Sequence, residues 1–214
     1  MTQIGKKIYS YAYRIVEKQI DKKQKDMAEY KIENSNCLGY SCGGSGVYVD
    51  SEGFVELTDD EVAKIVDLIR EAGSTDIEEI GLKEKYPDIY DTLDDAYRHM
   101  AYDAEELHWL WEGYESGYFE YDKEELIAYC EENCGFKFDY NEEDYIVDGE
   151  FDEDSLEDDK ENAFDNWVDD YLQTLTDQEV KSFFYDHMNA DLNLDHVDYE
   201  VAIPEEIIDM AEND

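Results

Sequence analysis

Proline, cysteine and long apolar runs are all scarce in this sequence. It has two prolines, Pro87 and Pro204, and four cysteines in 214 residues. So few prolines exclude long proline-rich linkers, and so few cysteines exclude a disulfide framework. No stretch approaches the roughly 18 apolar residues that a membrane-spanning helix needs, and the N-terminal residues lack the apolar run of a secretory signal peptide. These absences predict a soluble protein of the cytoplasm.

Basic residues are also scarce. The chain has 17 lysines and arginines against 60 aspartates and glutamates, which gives a formal net charge of -43. Such an excess opposes collapse and is common in disordered chains. Here, however, 42% of the residues are hydrophobic and 14% are aromatic, which is enough apolar surface to bury a core. We therefore expect a folded protein that tolerates strong self-repulsion.

The charge is unevenly distributed along the chain. Residues 1–33 carry a net charge of +3, whereas the remaining residues carry -46. So acidic a body has two explanations, a strongly basic partner or adaptation to high salt. Salt-adapted proteins tend to be poor in lysine, and 14 of the 17 basic residues here are lysines. A basic partner is therefore the favoured explanation.

Alternating apolar residues predict several strands. One covers Ile8 to Val16 and another covers Val197 to Ile203. A hairpin would join Val47–Val49 to Phe54–Leu57 around a four-residue turn that ends at Gly53.

Capping signals and apolar spacing predict the helices. Thr58 and Thr176 each stand three residues before a glutamate, which is the pattern of a capping box. Pro204 is placed to begin a short terminal helix. Residues 136–155 are expected to be irregular or to form an edge strand. Further helices are predicted over residues 17–33, 87–115 with a break near Asp103, 123–134 and 157–175.

Together these elements predict an α+β fold that is mostly helical. Its small antiparallel sheet would be formed from N-terminal strands, the hairpin and the C-terminal strand. We expect a single domain over residues 1–214, with a β-rich subregion at 1–57 and an acidic helical body at 58–214.

The most acidic part of the chain is the tract from Asp139 to Asp170, which holds 16 acidic residues and one basic residue, Lys160. Like charges four residues apart on a helix cost about 0.2–0.5 kcal/mol per pair. A solvated helix face would explain one such row, but the excess recurs across the body. We predict that the tract binds a partner through Asp139, Glu142, Glu143, Asp144, Asp148, Glu150, Asp152, Glu153, Asp154, Glu157, Asp158, Asp159, Glu161, Asp165 and Asp169.

The charge of the body is comparable to that of a short DNA duplex. Duplex DNA carries one negative charge per roughly 1.7 Å, so the excess of 46 charges equals that of roughly 23 base pairs. Arginine pairs with a carboxylate bidentately, as it does with phosphate. In its acidic tract and acid-rich helices, the chain resembles the DNA-mimic inhibitors of phages and mobile elements, which include anti-restriction and anti-CRISPR proteins. The resemblance implies a DNA-binding defence enzyme as the partner.

No pattern in the sequence predicts a metal, a cofactor or a catalytic centre. Asn189, Asp191, Asn193 and Glu200 fit a calcium-loop template, but Leu194 stands where the template needs glycine. The spacings Cys37–Cys42 and Cys130–Cys134 are wider than usual zinc pairs, and the glycine-rich stretch after Cys42 lacks the lysine of a phosphate-binding loop. We therefore expect a protein that is not an enzyme and binds no cofactor.

Two functions are consistent with these features. The first is an acidic DNA-mimic inhibitor that occupies the nucleic-acid-binding site of a basic host-defence protein, such as a restriction or CRISPR nuclease. The alternative is an acidic immunity protein or antitoxin that neutralises a basic nuclease toxin. The first predicts acids spread over a wide surface, and the second predicts one compact patch. Neither involves direct nucleic-acid binding or a membrane, and the protein would act as a monomer or dimer.

Overall fold

In the computed structural model of the chain, residues 27–40, 46–148, 150–194 and 196–213 are described. These residues form an α+β fold that is mainly helical, as predicted, with two small antiparallel sheets. They divide into two compact units, the first made of the described residues within 1–105 and 195–214 and the second of those within Glu106–Leu194. The division falls elsewhere than the predicted subregion boundary at 57/58. The predicted strand Ile8–Val16 lies outside the described residues.

A long two-stranded ladder dominates the sheet structure of the first unit. Strand β1 (Met27–Tyr40) pairs with strand β2 (Gly46–Thr58) in antiparallel register. Tyr30 and Ile32 from β1 are buried and alternate with exposed or half-buried neighbours. Val55 and Leu57 from β2 are buried as well. This period of two is that of a sheet with one face on a core.

The hairpin predicted around Gly53 is wrong, because Gly53 lies inside β2 opposite Ile32. A Cβ atom at Gly53 would lie 3.1 Å from the Sδ of Met100, so the glycine makes room for a packed side chain rather than for a turn. The helix predicted over residues 17–33 is wrong from Met27 onward, since those residues belong to β1.

Four helices complete the described part of the first unit. They are α1 (Asp59–Ala72), α2 (Leu82–Lys85), the first part of α3 (Pro87–Glu115) and α7 (Glu205–Glu212). The predicted capping box of α1 is confirmed: the Thr58 hydroxyl accepts from the Glu61 N–H, and the Glu61 carboxylate accepts from the Thr58 N–H at 2.8 Å. The core of this unit is aliphatic, with Leu57, Ile65, Leu82, Leu93 and Ile207 fully buried.

The strand predicted over residues 197–203 is wrong, because this segment has no regular secondary structure. Val197 and Ile203 are buried, and Ile203, Tyr199 and Val201 belong to or pack against the core of the first unit. The alternating pattern therefore reflects one face lying on a core without pairing to a sheet. Tyr199 fixes the segment by donating its hydroxyl to Asp94 of α3 at 3.2 Å.

The second unit is built from helices around an aromatic core. It contains the last turns of α3, which has no break at Asp103, followed by α4 (Lys123–Asn133), a 3-10 turn at Glu142–Tyr145, strands β3 (Ile146–Val147) and β4 (Glu150–Phe151), α5 (Glu153–Leu172) and α6 (Asp177–His187). Helix α5 begins four residues earlier than predicted. Phe164, Phe184, Leu172 and Met188 lie fully buried at the centre of the core.

Candidate acidic interaction surface

All fifteen residues of the predicted partner-binding set lie in the second unit. Thirteen are exposed, and Asp152 and Glu161 are half-buried. Nine of them belong to α5 or its cap, where Phe164, Val168 and Leu172 turn the opposite face toward the core. The other six lie on the segment before α5: Asp139 in a loop, Glu142, Glu143 and Asp144 in the 3-10 turn, Asp148 in the turn after β3, and Glu150 in β4.

The structure gives some of these acids internal partners that the sequence did not suggest. Lys123 of α4 places its Nζ 2.9 Å from the carboxylate of Asp165 and 3.2 Å from that of Glu161. Burial alone would lower the pKa of Lys123, but the hydrogen bonds that its ammonium group donates to the two carboxylates outweigh this effect, and the net shift of the pKa is upward. Asp165 and Glu161 therefore join α5 to α4 as well as contributing charge.

Three further acids of the set accept hydrogen bonds from side chains of the same unit. Asp169 accepts from the Tyr114 hydroxyl at 2.6 Å, and Asp159 accepts from the Tyr145 hydroxyl at 2.9 Å. Burial, together with the bond to Asp169, raises the pKa of Tyr114. Asp152 caps α5 by accepting from the N–H and the hydroxyl of Ser155.

One contact in the set is repulsive. Glu157 of α5 lies against Glu124 of α4, and a hydrogen bond between the two side chains raises the pKa of Glu157 above its ordinary value. Such a bond needs a proton on one of the two carboxyl groups, so at neutral pH the pair is strained by like charge.

Charge on the second unit extends well beyond the predicted tract. The unit holds 29 acidic residues and four lysines, a net charge of -25, and 26 of the 29 acids are exposed. The sequence could have indicated this wider charge, because it has nine acids and only two lysines between residues 106 and 138. The thirteen acids outside the tract are Glu106, Glu112, Glu115, Glu120, Asp122, Glu124, Glu125, Glu131, Glu132, Asp177, Glu179, Asp186 and Asp191.

Three of the four lysines of this unit are engaged by its own carboxylates. Lys123 contacts Asp165 and Glu161, and Lys160 lies 2.9 Å from Glu131. Lys181 is buried and lies 2.7 Å from Glu106. Because these three lysines are paired with acids of the same unit, they add little free positive charge to its surface.

Metal chemistry has little support in the described residues, which include no group of three or more His, Cys, Asp or Glu side chains placed to hold an ion. Asn189, the first position of the calcium template, instead donates its amide to the carbonyl of Glu120 at 2.7 Å. Cys130 is buried, and burial together with the neighbouring Cys134 raises the pKa of its thiol to about 12. A buried thiol that remains protonated suits packing better than metal ligation.

The first unit has an open groove of about 840 Å³ along residues 196–202, which no sequence pattern indicated. It contains one histidine–carboxylate pair, His196 and Asp198, at 3.0 Å. Both side chains are more than four-fifths exposed, so water solvates the pair. The described lining residues include no serine or cysteine, and Thr75 carries their one aliphatic hydroxyl.

Comparison with protein-family models, with curated proteins and with solved structures gives no match to this chain. Within the described ranges, no helix combines the length and the apolar content that crossing a bilayer requires. A proposal about function therefore starts from the geometry and charge of the described residues.

Proposed function

We propose that this protein is an acidic DNA-mimic inhibitor, which acts in the cytoplasm by binding rather than by catalysis. Its second unit occupies the nucleic-acid-binding site of a basic protein and excludes DNA or RNA from it. The partner is a restriction or CRISPR nuclease or another basic protein of host defence.

The observation that carries the proposal is the exposure of 26 acids on a unit of net charge -25. This charge equals that of roughly 12 base pairs of duplex, given one charge per roughly 1.7 Å. A folded scaffold holds it, because Phe164, Leu172 and Phe184 are fully buried beneath the acids. Basic residues that bind phosphate oxygens can bind these carboxylates in the same way.

The distribution of the acids favours the DNA mimic over an immunity protein with one compact patch. Exposed acids occur on every helix of the unit: Glu112 on α3, Glu124 on α4, Asp158 on α5 and Asp186 on α6. A surface charged on many elements resembles a polyanion more than a single docking patch. An antitoxin remains the second candidate, distinguished by binding one dedicated toxin away from its nucleic-acid site.

The test is competition. Restriction and CRISPR nucleases are incubated with labelled duplex DNA, and the protein is titrated in while fluorescence anisotropy reports bound DNA. We expect the protein to displace DNA from at least one enzyme, and each ligand to lower the affinity of the enzyme for the other. Binding of the protein should weaken as the salt concentration rises. Formation of a ternary complex, with both ligands bound at full affinity, would contradict mimicry.

Two variants that each lose three charges test which unit is responsible for the competition with DNA. Asp154→Asn with Asp158→Asn and Asp170→Asn removes three exposed charges from α5 and leaves Asp165 and Asp169 with their partners. We expect this variant to compete less well. Glu29→Gln with Asp67→Asn and Asp91→Asn removes three exposed charges from the first unit. Equal loss of competition in both variants would show that net charge alone matters and that the second unit has no special role.

A further inference from the structure

Exposed apolar side chains are concentrated in one short stretch of the acidic unit. Of the ten large apolar side chains that are exposed in the described part of the chain, four lie between residues 140 and 151. They are Tyr140, Ile146, Val147 and Phe151, with exposed fractions from 48% to 57%. We call these four side chains the apolar crest. Exposed apolar side chains are costly in water, so their concentration in one stretch is consistent with an interaction site.

The crest is fixed to the body of the unit. The ring of Tyr140 stacks on Phe138 with 6.0 Å between centroids, and Phe138 packs against the core. Tyr145 contacts Phe151 with 6.5 Å between ring centroids and donates its hydroxyl to Asp159 of α5. A partner that binds the crest therefore has little to order on binding, which favours affinity.

Acids alternate with the crest residues along the same stretch of sequence. Between residues 140 and 151 the sequence has five acids and no basic residue. All five are exposed, and we call them the acidic rim: Glu142, Glu143, Asp144, Asp148 and Glu150. The stretch therefore presents apolar side chains bordered by negative charge.

Charge and apolar contact contribute differently to binding. Exposed ion pairs each contribute little affinity and chiefly accelerate encounter. Lasting affinity comes from aromatic and aliphatic side chains that are buried by the partner. The acids of the unit would attract any polycation, so a specific complex also needs apolar side chains that the partner buries. The crest is the group of side chains placed to supply this apolar contact.

We propose that the apolar crest anchors the partner interface and enters a basic groove that exposes aromatic side chains for base stacking. This rests on the proposed function and specifies the partner. Proteins that bind single-stranded or flipped-out bases combine cationic residues for the backbone with aromatic side chains for the bases. The crest takes the place of bases and the rim takes the place of phosphates. A protein that reads only the duplex backbone has no recess to receive the crest.

The test uses two peptides, an oligoarginine and a peptide with the same number of arginines interleaved with tryptophans. Their binding to the full chain is measured by fluorescence anisotropy. We expect the tryptophan-containing peptide to bind about tenfold more tightly, the effect of one good anchor. The variant Ile146→Thr with Val147→Thr and Phe151→Thr should lose this preference and keep its affinity for oligoarginine within about twofold, since threonine favours strands and leaves every charge in place.

A matched control removes exposed apolar groups from the other unit. Val47→Thr with Phe54→Thr changes two exposed side chains of β2, and it should keep the full preference. Circular dichroism confirms that each variant is folded. The proposal is overturned if wild-type protein binds both peptides equally, or if the preference survives in the crest variant. Binding of wild-type protein, but not the crest variant, to phosphatidylcholine vesicles would assign the crest to a membrane instead.

Failure of this inference is distinguishable from failure of the proposed function. If the protein displaces DNA from a nuclease and the crest variant does so equally well, mimicry holds and the crest is not its anchor. If the crest gives the peptide preference but no nuclease loses DNA, the crest binds aromatic basic surfaces for another purpose.

Discussion

Single carboxylates of the second unit serve two purposes that the sequence alone does not separate. Asp165 and Asp169 stand four residues apart on α5, a spacing that predicts repulsion. In the structure they contact Lys123 and Tyr114, residues more than forty positions away in the chain. Glu157, by contrast, meets another acid, Glu124. The stabilising and destabilising acids can be told apart only when the partners from α3 and α4 are known.

The Glu157–Glu124 pair gives a pH-dependent prediction. Because the pKa of Glu157 is raised in the folded state, repulsion within the pair is present at neutral pH and disappears as the pH falls through the raised pKa. Glu157→Gln should therefore raise the melting temperature at pH 7, and this gain should vanish near pH 4. Thermal unfolding followed by circular dichroism at both pH values measures it.

The matched variants are Glu124→Gln, which should give the same gain, and the double substitution, which should add little because either change removes the repulsion. Fully additive gains would show that the two side chains do not interact. Glu153→Gln, on an exposed carboxylate in the first turn of α5, is the control for removing one charge from this helix.

Among the elements, helices with local capping signals were predictable and long-range pairings were not. Thr58 and Thr176 both form the capping boxes that their sequences predict, because every atom of the motif lies within four residues. Gly53 was misread as a turn because the space it leaves is filled by Met100, a residue of α3. The burial of Lys181 could not be predicted from the local sequence, because its carboxylate partner, Glu106, lies 75 positions earlier.

The capping box of α6 gives a prediction for a whole element. Glu179 accepts hydrogen bonds from the Thr176 backbone and hydroxyl at 2.9 and 2.7 Å, which lowers its pKa. Thr176→Ala should cost about 1 kcal/mol of unfolding free energy at pH 7, measured by urea denaturation. A lowered carboxyl pKa stabilises the fold above the ordinary pKa and loses that effect as pH falls through the folded value, so the cost should shrink in acid.

Thr176→Ser keeps the hydroxyl and is the conservative control, which should retain most of the stability. An equal cost for serine and alanine would place the effect in the lost methyl group instead of the cap.

At the scale of the whole molecule, the α+β class and the acidic character were predictable from composition and pattern. The set of acids that share one surface was not, because membership of the second unit depends on which helices pack together. The tract from Asp139 to Asp170 is a little over half of the acidic residues of that unit. Helix α4, whose Glu124 and Lys123 both contact α5, lies outside it.

The net charge of -43 predicts a strong dependence of stability on salt. The Debye length falls to roughly 8 Å near 0.15 M ionic strength, so added salt weakens the repulsion among surface acids. The melting temperature should therefore rise with sodium chloride, most steeply at low concentration. A variant with several exposed acids changed to amides should respond less. A melting temperature that falls steadily with added salt would contradict this electrostatic account.

The β1–β2 ladder has a consequence for how copies of the protein behave toward one another. Within the described residues it has only two strands, so each strand has one side without a neighbour in the sheet. Such edges are templates for pairing with other chains, and charged side chains discourage it. Glu29, Glu33, Glu52 and Glu56 lie exposed along this ladder. The acidity that we propose attracts a partner should thus also oppose pairing between copies of the protein.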